Sequence, residues 1–256
     1  MSILRVAGLQ LDVSWEDRAA NFEKARRLGL RARDEGAGLV VLPEMFATGF
    51  SLDPAVTAEA PDGETPSFIK GLARELGIAV VGGYVQKRRG GKGANLALAV
   101  DGRGAVLAEY AKTHLFTFTD EQLVHEAGAG PRSFVFDGIE ASCFICYDLR
   151  FPELFRLVAG ETKLVLVIAS WGAARQRQWD VFLPARAAEN QLYVVGVNRV
   201  GSGGGVDYTG GSAAYDPLGR QLCHGGDQEG LIFADIDPDA VIDVRAAMPF
   251  LKDRRF

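Results

Sequence analysis

No stretch of this chain stays apolar long enough to cross a membrane. The longest such run, LVLVIASW (164–171), falls far short of the roughly 20 residues that a spanning helix needs. There is no block of like charge either. Lys and Arg number 28 against 33 Asp and Glu, which argues against a nucleic-acid groove or a membrane-binding face. The start, MSILRVAGLQLDVSW, has no basic leader, no long apolar stretch and no small-residue cleavage site, so no secretory signal is expected. Cysteine is scarce: three residues, an odd number, make no disulfide framework and point to a reducing cytoplasm. The three histidines, His114, His125 and His224, show no metal-ligand spacing. Internal repeats, low-complexity segments and linkers are also missing.

What is present is enough apolar material, 48% of 256 residues, to bury a large core. One domain over residues 1–256 is expected. Strand-length apolar runs alternate with longer helical patterns. LRVAGLQL (4–11), GLVVLPE (38–44), IAVVGGYVQ (78–86), KLVLVIAS (163–170), LYVVGVNRV (192–200) and EGLIFADID (229–237) read as strands. Residues 16–36, 65–77 and 177–191 read as helices, and another starts at Pro152. DGRG inside 95–112, Asp137-Gly138 inside 133–146 and DPLG inside 210–223 mark turns between paired strands. Strand–helix–strand units imply parallel pairing, and hairpins imply antiparallel pairing. At least nine strands with few helices to cover them predict an α/β fold, two mixed β-sheets packed face to face with helices outside.

The segment CFICYDLRFPELFR (143–156) holds two of the cysteines. Cys143 and Cys146 are an odd number apart, so they cannot share a face of a regular strand, which argues against a dithiol pair or a metal clip. Cys143 reads as a core residue. Cys146 stands where a strand meets a turn and then a helix, an elbow that lifts a nucleophile clear of the sheet and aims backbone N–H groups at it. A lone cysteine there reads as a buried structural thiol, and a reactive one needs a base or a cation beside it. Two groups qualify. VVLPEMFATGF (40–50) ends a strand with Glu44, and LAEYAKTHLF (107–116) ends another with Lys112. Each alone reads as a surface charge. Three chemically apt groups at strand ends converge on one cleft if the strands are suitably paired.

LPEMF, YAKTHLF and CYDLRFPELFR resemble, in order and spacing, the glutamate, lysine and cysteine motifs of the nitrilase (carbon–nitrogen hydrolase) superfamily. ASW, ARAAENQLYVV and DPLGR resemble its later blocks, so the likeness spans nearly the whole chain. The resemblance implies a four-layer αββα sandwich, Cys146 as nucleophile, Glu44 as general base and Lys112 as oxyanion stabiliser beside the Tyr147 backbone N–H. It implies no metal and no organic cofactor, and it implies at least a homodimer. A buried ammonium needs carboxylates around it, and Glu44 is neutralised during turnover, so a second acid is expected. The superfamily places one seven residues before a glycine that follows the lysine block. Here Glu121 precedes Gly128 by that interval, with Glu126 as competitor. Asp148 and Arg150 read as structural, holding the elbow through an ion pair or backbone hydrogen bonds.

The flanks LPEMFATGFS, HLFTFTDE and NRVGSGGGVDYTGGS look most like the ω-amidase branch, bacterial 2-oxoglutaramate and 2-oxosuccinamate amidases. Such substrates carry a carboxylate distant from the amide, so the pocket should supply a cation. SWGAARQRQW (170–179) offers Arg175 and Arg177, of which Arg175 is the candidate, with Phe116 and Trp171 as pocket walls. N-carbamoyl amino acid hydrolysis uses the same triad and is the nearest enzymatic alternative. A catalytically dead scaffold is the alternative from another class. The nitrile-cleaving branch has Trp-Glu after its cysteine, where this chain has Tyr147-Asp148. The glycines at 201–205 follow a strand but open no helix, so they read as a flexible loop rather than a dinucleotide fingerprint.

Overall fold

The computed structural model describes residues 3–255. The chain opens with β1 (Leu4–Gln10) and α1 (Arg18–Asp34), whose first turn is capped by Asp17 accepting the Ala20 N–H. β2 (Leu39–Val41), the one-turn α2 (Pro54–Thr57), β3 (Ala58–Glu59) and α3 (Glu64–Leu76) follow. α3 stops at Gly77, whose φ of 70° is left-handed and free of steric cost only for glycine. Next come β4 (Ala79–Lys87), β5 (Gly93–Val100), β6 (Val106–Ala111) and the one-turn α4 (Glu121–Val124). The second half runs β7 (Ser133–Phe136), β8 (Ile139–Ile145), α5 (Pro152–Val158), β9 (Leu164–Ile168), α6 (Gln176–Asn190) and β10 (Tyr193–Val197). It closes with β11 (Val200–Gly203), β12 (Val206–Thr209), β13 (Ala213–Tyr215), β14 (Gln221–His224), β15 (Gly230–Ile236) and α7 (Pro238–Ala247).

Two large sheets result. One has the order β15-β1-β2-β4-β5-β6, with β3 on β4, and the other β14-β13-β10-β9-β8-β7. β1, β2 and β4 pair in parallel, as do β8, β9 and β10, and the hairpins and the β1–β15 pair are antiparallel. Both sheets are therefore mixed, as expected.

The layering follows from strand alternation. Val6, Leu39, Val41 and Val81 point into a core shared with Cys143 and Leu166 of the second sheet. Their neighbours Ala7, Leu9, Val40 and Val80 point the other way, onto Ala25 and Leu28 of α1 and Ile69 and Leu72 of α3. The far side of the second sheet is covered by Leu154 and Phe155 of α5 and Trp179 and Leu183 of α6. Two sheets face to face with helices outside make the αββα sandwich.

Two readings of the sequence are corrected. Residues 200–209 form a β-hairpin, β11 on β12, rather than a flexible loop. Gly204 and Gly205, at φ of 58° and 77°, supply the left-handed turn, and the flanking residues pair. The helix α7 went unread, although Asp237 capping it and Pro238 in its first turn are ordinary start signals.

Close packing of β4 against the segment after β2 sets a strict demand. A Cβ on Gly83 would lie 2.6 Å from the Met45 backbone N and 2.7 Å from the Glu44 Cα, whereas one on Gly71 of α3 would meet nothing within 4 Å. Gly83→Ala should cost about 1–3 kcal/mol through overpacking. Gly71→Ala should gain roughly 0.5–1 kcal/mol from helix propensity. Urea unfolding of the two variants checks this, and equal effects would refute it.

Candidate active site

Strand direction brings the candidate residues together. β6 is antiparallel to β5, and β5 to β4, so β6 runs the same way as β4 and its parallel partner β2. Glu44, just beyond β2, and Lys112, just beyond β6, therefore emerge at the same end of the first sheet. β8, β9 and β10 likewise deliver Cys146, Ser170 and Asn198 at one end of the second sheet. A turn with Met45 at φ 46° stops the chain directly after Glu44.

Lys112 is fully buried, as are Glu44 and Glu121. Its Nζ lies 2.9 Å from Glu44 Oε1 and 2.9 Å from Glu121 Oε2, a single cation between two acids. Asn95 Nδ2 also bridges them, donating to Glu44 Oε1 at 2.7 Å and to Glu121 Oε1 at 3.1 Å. The second sheet completes the ring, since the Ser170 backbone N–H donates to Glu44 Oε2 at 2.8 Å. Burial works against the Lys112 charge, but Glu121 and then Glu44 more than offset it, and its pKa stays above the ordinary lysine value. Burial opposes the Glu121 charge too. Lys112, with donors from His125 and the Phe116 backbone, overcomes it and brings the carboxyl down to about 2. Burial and then the Glu44 carboxylate, with which the thiol hydrogen-bonds, push the Cys146 thiol well above the usual range.

Cys146 sits at φ 46°, a strained value for a residue with a Cβ. Asp148 fixes the turn by accepting the Ile145 N–H at 3.1 Å, the Tyr110 hydroxyl at 2.8 Å and the His114 N–H at 2.9 Å. The expected structural role of Asp148 thus runs through backbone and tyrosine donors. Arg150 takes a different place: its guanidinium lies over the rings of Tyr147, Trp171 and Phe182, bonds Gln178 and lines the cleft. Cys143 is buried in β8 among core residues.

The cleft above Cys146 measures about 440 Å³ with its open mouth. Phe50, Phe116, Trp171, Val206 and Tyr208 form its walls, and Arg150 and Arg175 stand in it. Phe116 carries Arg175 over its ring at 4.9 Å, and the Trp171 indole N–H donates to the Arg175 carbonyl at 2.8 Å. Arg177 and Glu126 are exposed and outside this arrangement. Among the described residues, no group of three or more His, Cys, Asp or Glu side chains is arranged to hold a metal ion. The sequence reading overlooked Asn95, Arg150 and Tyr208 as site residues. Asn95 had a signal, as the only side chain able to hydrogen-bond in the run GANLALAV. Tyr208 had none, because the glycines at 201–205 before it signal a loop.

The shared cation can be tested by removal. Lys112→Ala leaves two buried carboxylates unneutralised and should cost about 3–5 kcal/mol near pH 7. In the parent chain Glu121 titrates near 2 instead of 4.5, so its contribution is complete above about pH 4.5 and lost as pH falls through 2. In the variant, mutual repulsion raises the folded-state values, so stability is greatest at low pH and lost as pH rises. Urea midpoints between pH 4.5 and 8 should therefore decline with pH relative to the parent, and parallel profiles would sink the idea.

The carbon–nitrogen hydrolase family model matches residues 5–246. The chain is 35% identical over 252 residues to a 2-oxoglutaramate amidase of Bacillus subtilis, covering 98% of this chain and 97% of the relative. It is 34% identical over 255 residues to the Escherichia coli omega-amidase YafV, covering 98% and 93%. Among solved structures it superposes on XC1258 of Xanthomonas campestris, a CN-hydrolase superfamily protein, with a TM-score of 0.93 and 33% identity, covering 100% and 98%. With the αββα sandwich and the buried cluster beside Cys146, these likenesses establish that the chain belongs to the carbon–nitrogen hydrolase family.

Proposed function

We propose that this chain is an ω-amidase: it hydrolyses the terminal amide of small dicarboxylic acid monoamides, such as 2-oxoglutaramate, 2-oxosuccinamate or succinamate, to the acid and ammonia. The observation that carries the reading is the polarity of the cleft. A thiol, a base and a buried cation stand at its inner end, apolar rings line it, and two arginines stand where it meets the mouth lined by Phe118 and Gln178. A chain with an amide at one end and a carboxylate at the other fits that layout. The names of the Bacillus and Escherichia relatives point the same way.

Glu44 takes the Cys146 proton as sulfur attacks the amide carbon, and the carbonyl electron pair moves to oxygen. That oxyanion is held by the Lys112 ammonium and the Tyr147 backbone N–H. Glu44 then protonates the nitrogen, so the C–N bond breaks with ammonia as leaving group, and a thioester remains on Cys146. In the second half Glu44 takes a proton from water, hydroxide attacks the thioester, and the C–S bond breaks as the sulfur recovers the proton. While Glu44 is neutral, Glu121 alone keeps Lys112 charged. Arg175, with Arg150 beside it, receives the distal carboxylate. N-carbamoyl amino acids, which pair a carboxylate with a hydrolysable C–N bond, are the competing substrates.

Ammonia release from 2-oxoglutaramate and succinamate, with an N-carbamoyl amino acid alongside, tests the substrate class. Release from the monoamides, abolished in Cys146→Ala, is expected. Turnover of the carbamoyl compound alone would keep the triad and remove the ω-amidase reading. For the distal cation, Arg175→Ala should raise KM for succinamate about 10–100-fold, the worth of a charge-assisted hydrogen bond. Neutral butyramide should lose about threefold or less, and equal losses on both substrates would show that Arg175 does not read the carboxylate.

A further inference from the structure

Lys112 and Asn95 are divided between the two buried acids, but one side-chain donor serves Glu121 alone. His125 directly follows α4, is 1% exposed, and places Nδ1 3.2 Å from Glu121 Oε1. Its backbone N–H returns to the Glu121 carbonyl at 2.8 Å, so ring and carboxylate belong to one helical turn. Room for the ring comes from β5. A Cβ on Gly93 would lie 3.1 Å from His125 Cδ2 and 2.4 Å from Val85, and the Glu126 N–H donates to the Gly93 carbonyl at 2.8 Å, clamping turn to strand. A carboxylate oxygen only accepts, so Nδ1 carries the ring proton. Nε2 is buried without a hydrogen-bond partner among the described residues. That is an unusual expense for a side chain whose bulk alone was wanted.

We infer that His125 is a positioning residue for the amide hydrolysis proposed above, its Nδ1–H holding Glu121 against Lys112 so that the ammonium stays shared rather than collapsing onto Glu44. The charge balance gives the reason. Lys112 stands 2.9 Å from an oxygen of each acid. If Glu121 turns away or takes a proton, the cation settles on Glu44 and weakens it as the base for Cys146. The other groups around His125 cannot substitute. Gly93 and Val85 are apolar, Asn95 is already committed to both acids, Lys92 donates to the Gln122 carbonyl at 3.2 Å, and Glu126 is exposed. The direction in which Glu121 titrates agrees, since the His125 hydrogen bond is among the largest effects favouring its charged form.

The test compares His125→Phe, which keeps an aromatic ring and loses the donor, with His125→Asn, whose amide N–H falls near the Nδ1 position. Two readouts are taken on folded protein: kcat and KM against pH for amide hydrolysis, and the rate of Cys146 alkylation by iodoacetamide, followed by the mass of the peptide carrying residue 146. In the Phe variant kcat should fall about tenfold with KM changed by about twofold at most, and the acid limb should move to higher pH because Glu121, without its His125 donor, takes up a proton more readily. Alkylation at pH 7 should slow by about fivefold or more. The Asn variant should recover both to within about threefold. A Phe variant with unchanged kcat, acid limb and alkylation would overturn the inference, and so would Asn and Phe variants equally impaired, since bulk would then be the role. Should the Phe variant not fold, His125→Leu carries the same comparison. If the parent chain releases ammonia from none of the amides yet alkylation follows the expected pattern, the inference stands and the substrate reading falls.

Discussion

Everything at this site depends on keeping one ammonium charged inside protein. A buried lysine ordinarily sheds its proton, because the charged form loses water without compensation. Lys112 keeps it because two carboxylates are buried with it, each 2.9 Å from its ammonium. The three are stable only as a set, and the set is more costly than an apolar core would be. A protein retains such an arrangement for chemistry. In the proposed reaction Glu44 gains and loses protons, so the spare acid, Glu121, lets the charge on Lys112 outlast each step.

That constraint explains the architecture around it. The cluster straddles the interface between the two sheets, with Glu44, Asn95 and Lys112 on one and Cys146 and Ser170 on the other. The Ser170 N–H on Glu44 Oε2 is a hydrogen bond from sheet to sheet. Interdigitating aliphatic layers fix how the sheets sit, and the site inherits their precision. The strain at Cys146 and Met45 is held by the same packing, with Asp148 tying the cysteine turn to Tyr110 and His114. Such strain persists only where surroundings over-determine it.

Much of this was legible in the sequence. Alternating apolar runs with turn residues between them announced mixed sheets, and strand ends bearing Glu44, Lys112 and Cys146 announced where a site would form. Glu121 was legible only through the family resemblance, which places an acid seven residues before a glycine, and the structure supplies a reason for Gly128: a Cβ there would lie 2.1 Å from the Ala111 carbonyl oxygen. Other features were hidden because they depend on tertiary neighbours. Arg150 lies four residues from Cys146 and two from Asp148, which makes an elbow ion pair the natural reading. The aromatic faces of Tyr147, Trp171 and Phe182 take it instead, and they gather only when α6 packs over the turn. The 200–209 hairpin was masked by its glycines, which signal a loop until the pairing of Val200 with Thr209 is seen.

The pairing of β1 with β15 has a bearing on how the chain is made. Residues 4–10 leave the ribosome long before their antiparallel partners, 230–236. Until β15 emerges, β1 can pair only with β2, and its other edge stays open while everything between them is made. An open, apolar edge is a template for pairing with another chain. Exposure to misassembly therefore lasts until β15 has been made, and nascent-chain protection should be needed for the whole of that interval.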